Sequence, residues 1–354
     1  MTTELRKGWT TGACAAAAAK AAFVALHSGA FPDPVTIRLP QGQMPAFALA
    51  RADITAQAAT AGVVKDAGDD PDVTHGALIL ATVARSPAGS GVTFRAGPGV
   101  GTVTLPGLPL PPGEPAINPG PRAQIAANLE DAAAALGAAA DACVTISIPG
   151  GETLAEKTLN GRLGIRGGLS ILGTTGVVLP YSCSAWVHSI HRGVDVARAL
   201  GLDHLAGTTG KTSEALARRV LGVPDQALID MGDMAGALLK YLRSHPVPRL
   251  TLVGGFAKLT KLAAGELDLH SRASRVDVAL LAQLLGDIGA ASETISAAQA
   301  CTSAGQVLAL AGALPLGDRV ARRAREAALA VLAGGTEVEV IAIDRAGTVV
   351  GRSG

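Results

Sequence analysis

"HLAGTTGKTSEALARRVLGVPDQALIDMGDMAGALLKYLRSHPVPRLTLVGG" (204–255) decides the fold class of the second half of this chain. Short strand-like runs at 204–210, 227–233 and 249–255 each lead into a segment whose apolar residues recur at i, i+3 and i+4. Those segments are "KTSEALARRVLG", "MAGALLKYLRSH" and, just beyond, "FAKLTKLAAG". Strands alternating with helices predict a parallel, doubly wound α/β sheet. Further helices are expected at about 275–288, 297–312 and 317–333, with a last strand at "EVEVIAI" (337–343). Upstream, "ACVTISI" (142–148) has a buried-strand pattern and runs into "PGGE", the strand, Gly-Gly, acid order of a first nucleotide-fold strand. A Rossmann-like domain is therefore expected over 141–354.

Residues 1–140 read differently. "VTIRL" (35–39), "FALARADI" (47–54), "ALILATVA" (77–84), "VTFRA" (92–96) and "GTVTL" (101–105) are short strand patterns. Helices are expected at about 13–28 and 122–136, and residues 106–122 form a Pro/Gly-rich connector. The expected class is an α+β domain followed by an α/β domain. "TTG" recurs at 10–12, 174–176 and 208–210, each time near a helix start.

The 354 residues suffice for two cores. A composition of 48% hydrophobic and 17% charged residues is globular, and a net charge of +1 gives no field to gather nucleic acid. With aromatics at 3%, packing must rest on Ala, Leu, Val and close backbone contact. Cys14, Cys143, Cys183 and Cys301 are widely spaced, which favours reduced thiols and a cytoplasmic protein over disulfides or zinc. Arg6, Lys7 and an alanine run imitate a signal peptide. Lys20 interrupts the run, so it is read as a structural helix. No run is long and apolar enough to cross a membrane.

"LNGRLGIRGGLSILGTTG" (159–176) holds six glycines, with Arg162 and Arg166 as its charged side chains. Glycines let a ligand approach the main chain, and guanidinium forks suit carboxylate or phosphate; a tight structural loop is the other reading. "LAGTTGKTSEA" (205–215) imitates a P-loop, but Leu205 stands where the first glycine belongs. The plain alternative is a helix start capped by Thr212 or Ser213. "VVKDAGDDPDVTHG" (63–76) gathers Lys65, Asp66, Asp69, Asp70, Asp72 and His75, either for acid–base work or as an Asp-rich turn. "GGFAKLTKLAAGELDLHSR" (254–272) offers Lys258 and Lys261 on one helix face, then His270 and Arg272. His188 and His191 lack a third metal ligand, so no protein-bound metal is expected.

Several segments together resemble one family. "RKGWTTGACAAAAAKAA", "VVKDAGDDPDVTHG", "GVGTVTLPGLPLPPGEPAINPGPR", "IPGGETLAEKTLNGRLGIRGGLSILGTTGVVLPYS" and the late lysine and His-Ser-Arg segment look like the cobalt-precorrin-5B C-1 methyltransferases of anaerobic cobalamin biosynthesis. The likeness runs from about 5 to 275, with Gly161 and Ala257 departing from the family's Pro and Gly. It implies S-adenosylmethionine as methyl donor, a cobalt-containing tetrapyrrole as substrate, cobalt-precorrin-6A as product, and cobalt only as part of the substrate. It leaves room for a homodimer.

On that resemblance, Arg162, Arg166, Lys258, Lys261, His270 and Arg272 are expected to bind the ring's carboxylates. Gly150, Gly151, Glu152, Gly173, Thr174, Thr175 and Gly176 would shape the donor pocket, with Asp230 on the ribose. Asp66 or His75 would remove a proton. The competing readings are a nucleotide-dependent kinase or ATPase using 207–212, and a non-catalytic corrinoid-binding protein.

Overall fold

The computed structural model describes residues 5–354. Two compact units divide at Ser182/Cys183: Met1–Ser182 and Cys183–Gly354. Each combines helices with a mixed five-stranded sheet.

The first unit holds a five-stranded sheet: β1 (Arg51–Ile54), β2 (Ala58–Val64), β3 (Leu78–Arg85), β4 (Val92–Ala96) and β5 (Ala142–Ser147), in spatial order β1-β2-β3-β5-β4. β5 pairs antiparallel with β3 and parallel with β4. The Ala-rich stretch is α1 (Thr11–Ser28), which packs against β2, β3 and α2 (Pro119–Leu136). It is buried over most of its surface, with only the face of Lys20, Val24, His27 and Ser28 partly exposed. Alanine suits this place because small side chains let sheet and helix close in together. The helix starts at the Thr10 hydroxyl, which accepts from Ala13 N–H at 3.1 Å, and ends at Gly29.

The placement of β5 corrects the expected boundary at 140/141. Residues 142–148 do form a strand, but it lies inside the first sheet and does not begin the parallel one. Val144, Ile146 and Ile148 are fully buried in the α1 core, and both edges of β5 are paired. The chain therefore stays in the first unit for about forty residues more. Downstream it makes two-residue ladders with earlier segments: Gly168–Leu169 with Gly99–Val100, Ile165–Arg166 with Thr102–Val103, and Val177–Val178 with Gly8–Trp9.

In the second unit, β6 (His204–Thr208), β7 (Leu228–Asp230), β8 (Arg249–Gly255), β9 (Glu337–Ile343) and β10 (Val349–Ser353) lie in order β7-β6-β8-β9-β10. The first three pairings are parallel and the last is antiparallel. Relevant helices are α3 (Cys183–Ala199), α4 (Lys211–Leu221), α5 (Ala235–Ser244), α6 (Phe256–Ala263) and α7 (Leu316–Leu332). The expected helix at 297–312 is two, Ser292–Gln299 and Ala304–Ala311, because Ser303 and Gln306 form a capping box that starts a new helix. Strands β2 and β10 were not foreseen, β2 because Ala and Gly dilute its pattern.

Gly99 has φ +78° and a Cβ built there would lie 1.8 Å from the Ile148 carbonyl oxygen. Gly150 has φ +74° with open space around it. Gly99→Ala should lower the unfolding free energy by about 3 kcal/mol and Gly150→Ala by about 1 kcal/mol. Urea denaturation of both variants checks this, and equal losses would remove the steric account.

Candidate functional site

In the first unit, the candidate motifs are folded onto one another. The chain at 6–9 docks on the loop 66–69. Arg6 N–H donates to Asp69 Oδ2 at 2.7 Å, Asp69 N–H to Arg6 O at 3.0 Å and Trp9 N–H to Asp66 O at 2.7 Å. The Arg6 guanidinium grips Asp66 with both nitrogens, the Nη2 bond being 2.9 Å. Gly8 admits this approach, since a Cβ there would come 2.0 Å from the Ala67 carbonyl carbon. Lys65 is 1% exposed and donates to the half-buried Asp72 at 2.7 Å, an ion pair that Thr74 completes by donating to the same carboxylate.

These bonds correct the acid–base expectation for Asp66 and His75. Hydrogen bonds from Arg6 and from Gly68 N–H hold the Asp66 carboxyl down at about 2. A carboxylate so stabilised is a feeble base at neutral pH. His75 Nδ1 accepts from Ala67 N–H at 3.1 Å, so that lone pair is engaged within the loop. The cluster is a joint that docks the chain at 6–9.

The run 159–176 is a mixture of packing and open surface. Four of its glycines are packing positions: built Cβ atoms would lie 2.3 Å from Leu105 at Gly164, 2.3 Å from Gly99 at Gly168, 2.3 Å from Thr10 at Gly173 and 2.6 Å from Leu39 at Gly176. At Gly161 and Gly167 nothing lies within 4 Å. Those two flank the arginines. Arg166 is exposed and Arg162 half-buried. Asn160 braces the turn, donating to Gly168 O at 3.1 Å and accepting from Ser170 at 3.2 Å.

The expected donor pocket divides. Gly150, Gly151, Glu152, Gly173, Thr174, Thr175 and Gly176 belong to the first unit, while Asp230 belongs to the second. Gly151 abuts Gly99, with its built Cβ 2.3 Å from Gly99 O. The "TTG" at 174–176 and that at 10–12 dock together: Thr10 N–H donates to Gly176 O at 3.0 Å, and Leu172 N–H to Thr11 Oγ1 at 2.9 Å. These seven residues therefore do not lie on the parallel sheet, for β5 carried them into the first unit.

In the second unit, β6 connects through α4 to β7 on one side, and the next crossover carries the chain to β8 on the other. The carboxyl ends of β6 and β8 thus form the topological switch point, where open α/β sheets bind ligands. Thr209 sits at that point. Its N–H donates to Val253 O at 3.2 Å and to Ser213 Oγ at 3.0 Å, and its Oγ1 accepts from Gly255 N–H at 3.3 Å. The half-buried Lys258 Nζ lies 2.8 Å from Thr209 O and 3.0 Å from Asp233 Oδ1. Asp230 ends β7 beside it. Space is open around the α-carbons of Gly210 and Gly255.

Lys261 is corrected. It is 6% exposed and its ammonium donates to Leu269 O at 2.8 Å, which gives it an anchoring role for the loop 264–269. His270 Nδ1 accepts from Arg272 N–H at 3.2 Å within a turn, and both side chains are exposed. The cap of α4 is Gly210, with Ser213 at the third helical position bonding back to Gly210 O at 2.7 Å. Thr209, Asp233 and Gly255 were missed in the sequence. Each lies at or just past the end of a strand that leads into a helix, and that placement was the available signal.

The CbiD family model matches residues 1–180, and the model of the CbiD C-terminal domain matches 268–354. The chain belongs to the CbiD family. It is 60% identical over 351 residues to a cobalt-precorrin-5B C(1)-methyltransferase of Bradyrhizobium sp. BTAi1, covering 98% of this chain and 93% of that one. It is 58% identical over 348 residues to the protein of the same name from Paramagnetospirillum magneticum, covering 98% of each. A solved structure, a cobalamin biosynthesis protein (cbiD) from Archaeoglobus fulgidus, matches at 30% identity with a TM-score of 0.41, covering 75% of this chain and 82% of that one. The CbiD match over 1–180 ends two residues before the first unit does, at Ser182. Among the described residues of this CbiD member, no helix is long and apolar enough to cross a membrane, and no cluster of metal-binding side chains occurs.

Asp66 contributes stability that is complete above its ordinary value of 3.8 and lost as pH falls towards 2. The Tm of Asp66→Asn should therefore lie below that of the unaltered protein at pH 5 to 7, with the gap closing near pH 2. A gap that stays constant across that range would separate the loss from the Arg6 pair.

Proposed function

We propose that this chain is an S-adenosylmethionine-dependent C-methyltransferase that methylates C-1 of cobalt-precorrin-5B to give cobalt-precorrin-6A. The observation that carries the reading is full-length identity of 56–60% to proteins of that name. No cysteine among the described residues is in a disulfide, which suits the cytoplasm.

The second unit serves as a Rossmann-like donor platform. The residues at its switch point fit S-adenosylmethionine: open α-carbons at Gly210 and Gly255, carboxylates at Asp230 and Asp233, and the Lys258 ammonium. Asp230 takes the ribose hydroxyls. Asp233 suits the donor's ammonium and Lys258 its carboxylate. Bound there, the donor supplies a methyl group already activated on a sulfonium.

The protein's part is then chiefly positioning and exclusion of water. Arg162 and Arg166 stand on the open turn bounded by Gly161 and Gly167, and they take carboxylates of the tetrapyrrole as charge-assisted, forked hydrogen bonds. His270 and Arg272, both exposed, remain proposed contacts for further carboxylates of the ring. No step is assigned to Asp66 or His75, because their lone pairs are engaged within the protein. The kinase reading loses ground because the loop before α4 is cross-bonded through Thr209 and Ser213 and lacks the P-loop's length.

Anaerobic incubation with methyl-labelled S-adenosylmethionine and cobalt-precorrin-5B, followed by mass spectrometry, should show one methyl gained at C-1; no gain would overturn the reading. Changing Arg162 and Arg166 together to Ala should raise KM for the tetrapyrrole by about tenfold or more with KM for the donor little changed. Lys258→Ala should do the reverse. Steady-state kinetics in each substrate would expose a wrong assignment as an unmoved KM.

A further inference from the structure

The chain has two tryptophans. Trp9 packs edge-on against Phe47, with ring centroids 5.5 Å apart. Trp186, on the first turn of α3, is placed differently. Its Nε1–H donates to the main-chain carbonyl of Asp230 at 3.0 Å. Its ring lies on Gly232, where a Cβ would come 2.8 Å from Cζ2 and 3.2 Å from Cε2. Gly232 has φ +53°, so a side chain there would be strained as well as obstructed. The indole is thus fixed by its edge and by part of its face to the chain leaving β7. It nevertheless stays 47% exposed, and no aromatic ring of the described residues stacks on it.

Such a residue is out of place as mere packing. Its donor is satisfied, its position is set by two contacts, and a large flat surface is left facing solvent beside the acid at the end of β7. In parallel sheets of this kind, that acid takes the ribose hydroxyls of a bound nucleoside. A base attached to that ribose needs a π surface nearby, and a rigid indole supplies one at little cost in conformational entropy.

We infer that Trp186 is the surface on which the adenine ring of the methyl donor stacks. The inference rests on the donor site proposed above. Asp230 has two roles in it: its carboxylate reaches the ribose, and its carbonyl sets the angle of the indole. The short side of Gly232 lets the ring lie flat against the main chain. Adenine, not the methionine portion, is the part recognised, because a stacked base needs only the ring's face.

The test titrates S-adenosylhomocysteine, adenosine and L-methionine into a Trp9→Phe protein, in which Trp186 is the sole tryptophan. S-adenosylhomocysteine and adenosine should quench its emission, and L-methionine should not. Calorimetry on the unaltered protein should show Trp186→Leu weakening S-adenosylhomocysteine by about tenfold and Trp186→Phe by less, since phenylalanine keeps a smaller stacking face. If S-adenosylhomocysteine binds but leaves Trp186 emission and the Trp186→Leu affinity unchanged, the inference falls while the donor site stands. If the unaltered protein binds no S-adenosylhomocysteine, both fall.

Discussion

Main chain meeting main chain with no side chain between is the constraint on which the first unit rests. The exit of β5 passes so close to Gly99 that the Ile148 carbonyl fills the space of a Cβ. Gly151 and Gly168 press on the same residue from other directions. Three segments distant in sequence, near 99, 150 and 168, therefore share one point. Each is glycine there because nothing larger fits. The hydrophobic core beneath, built on α1, is alanine-rich for the same reason: a molecule with few aromatic residues fills its interior by approach and not by bulk.

This junction explains why many motif residues make contacts within the protein. The chain at 6–9 and the Asp-rich loop are two halves of one joint, as are the two "TTG" segments at 10–12 and 174–176. Long motifs in a family need not be long because a ligand touches all of them. Here much of their length is a record of close contacts within the protein. The proposed ligand contacts fall elsewhere: on the turn carrying Arg162 and Arg166, and in the second unit at the strand ends around Thr209, Asp233 and Lys258.

The second unit obeys the opposite logic. Its sheet is parallel except at β10. A polar chain, from half-buried His204 to buried Thr251 and Glu339, crosses its middle strands, and the proposed donor residues stand at the carboxyl ends where helices begin. Lysines three apart on α6 divide their work there. Lys258 remains near the crevice mouth, whereas Lys261 is buried to hold a loop carbonyl. A helical spacing of three places two side chains on one face; it does not say which of them the next loop will cover.

Local periodicity and composition sufficed for most helices and strands, for the α/β character after residue 204, and for the absence of a charged field. Motif order sufficed for the family. These are properties of neighbouring residues or of the whole chain summed, and both are written along the sequence. The tertiary structure alone decided that β5 joins the first sheet, because a strand's partners are chosen by pairing and burial far away in the chain. It alone decided that the Asp66 and His75 lone pairs and the Lys261 ammonium are engaged within the protein. A carboxylate reads the same in sequence whether it faces a substrate or an arginine sixty residues away, and only the fold brings one of them to it.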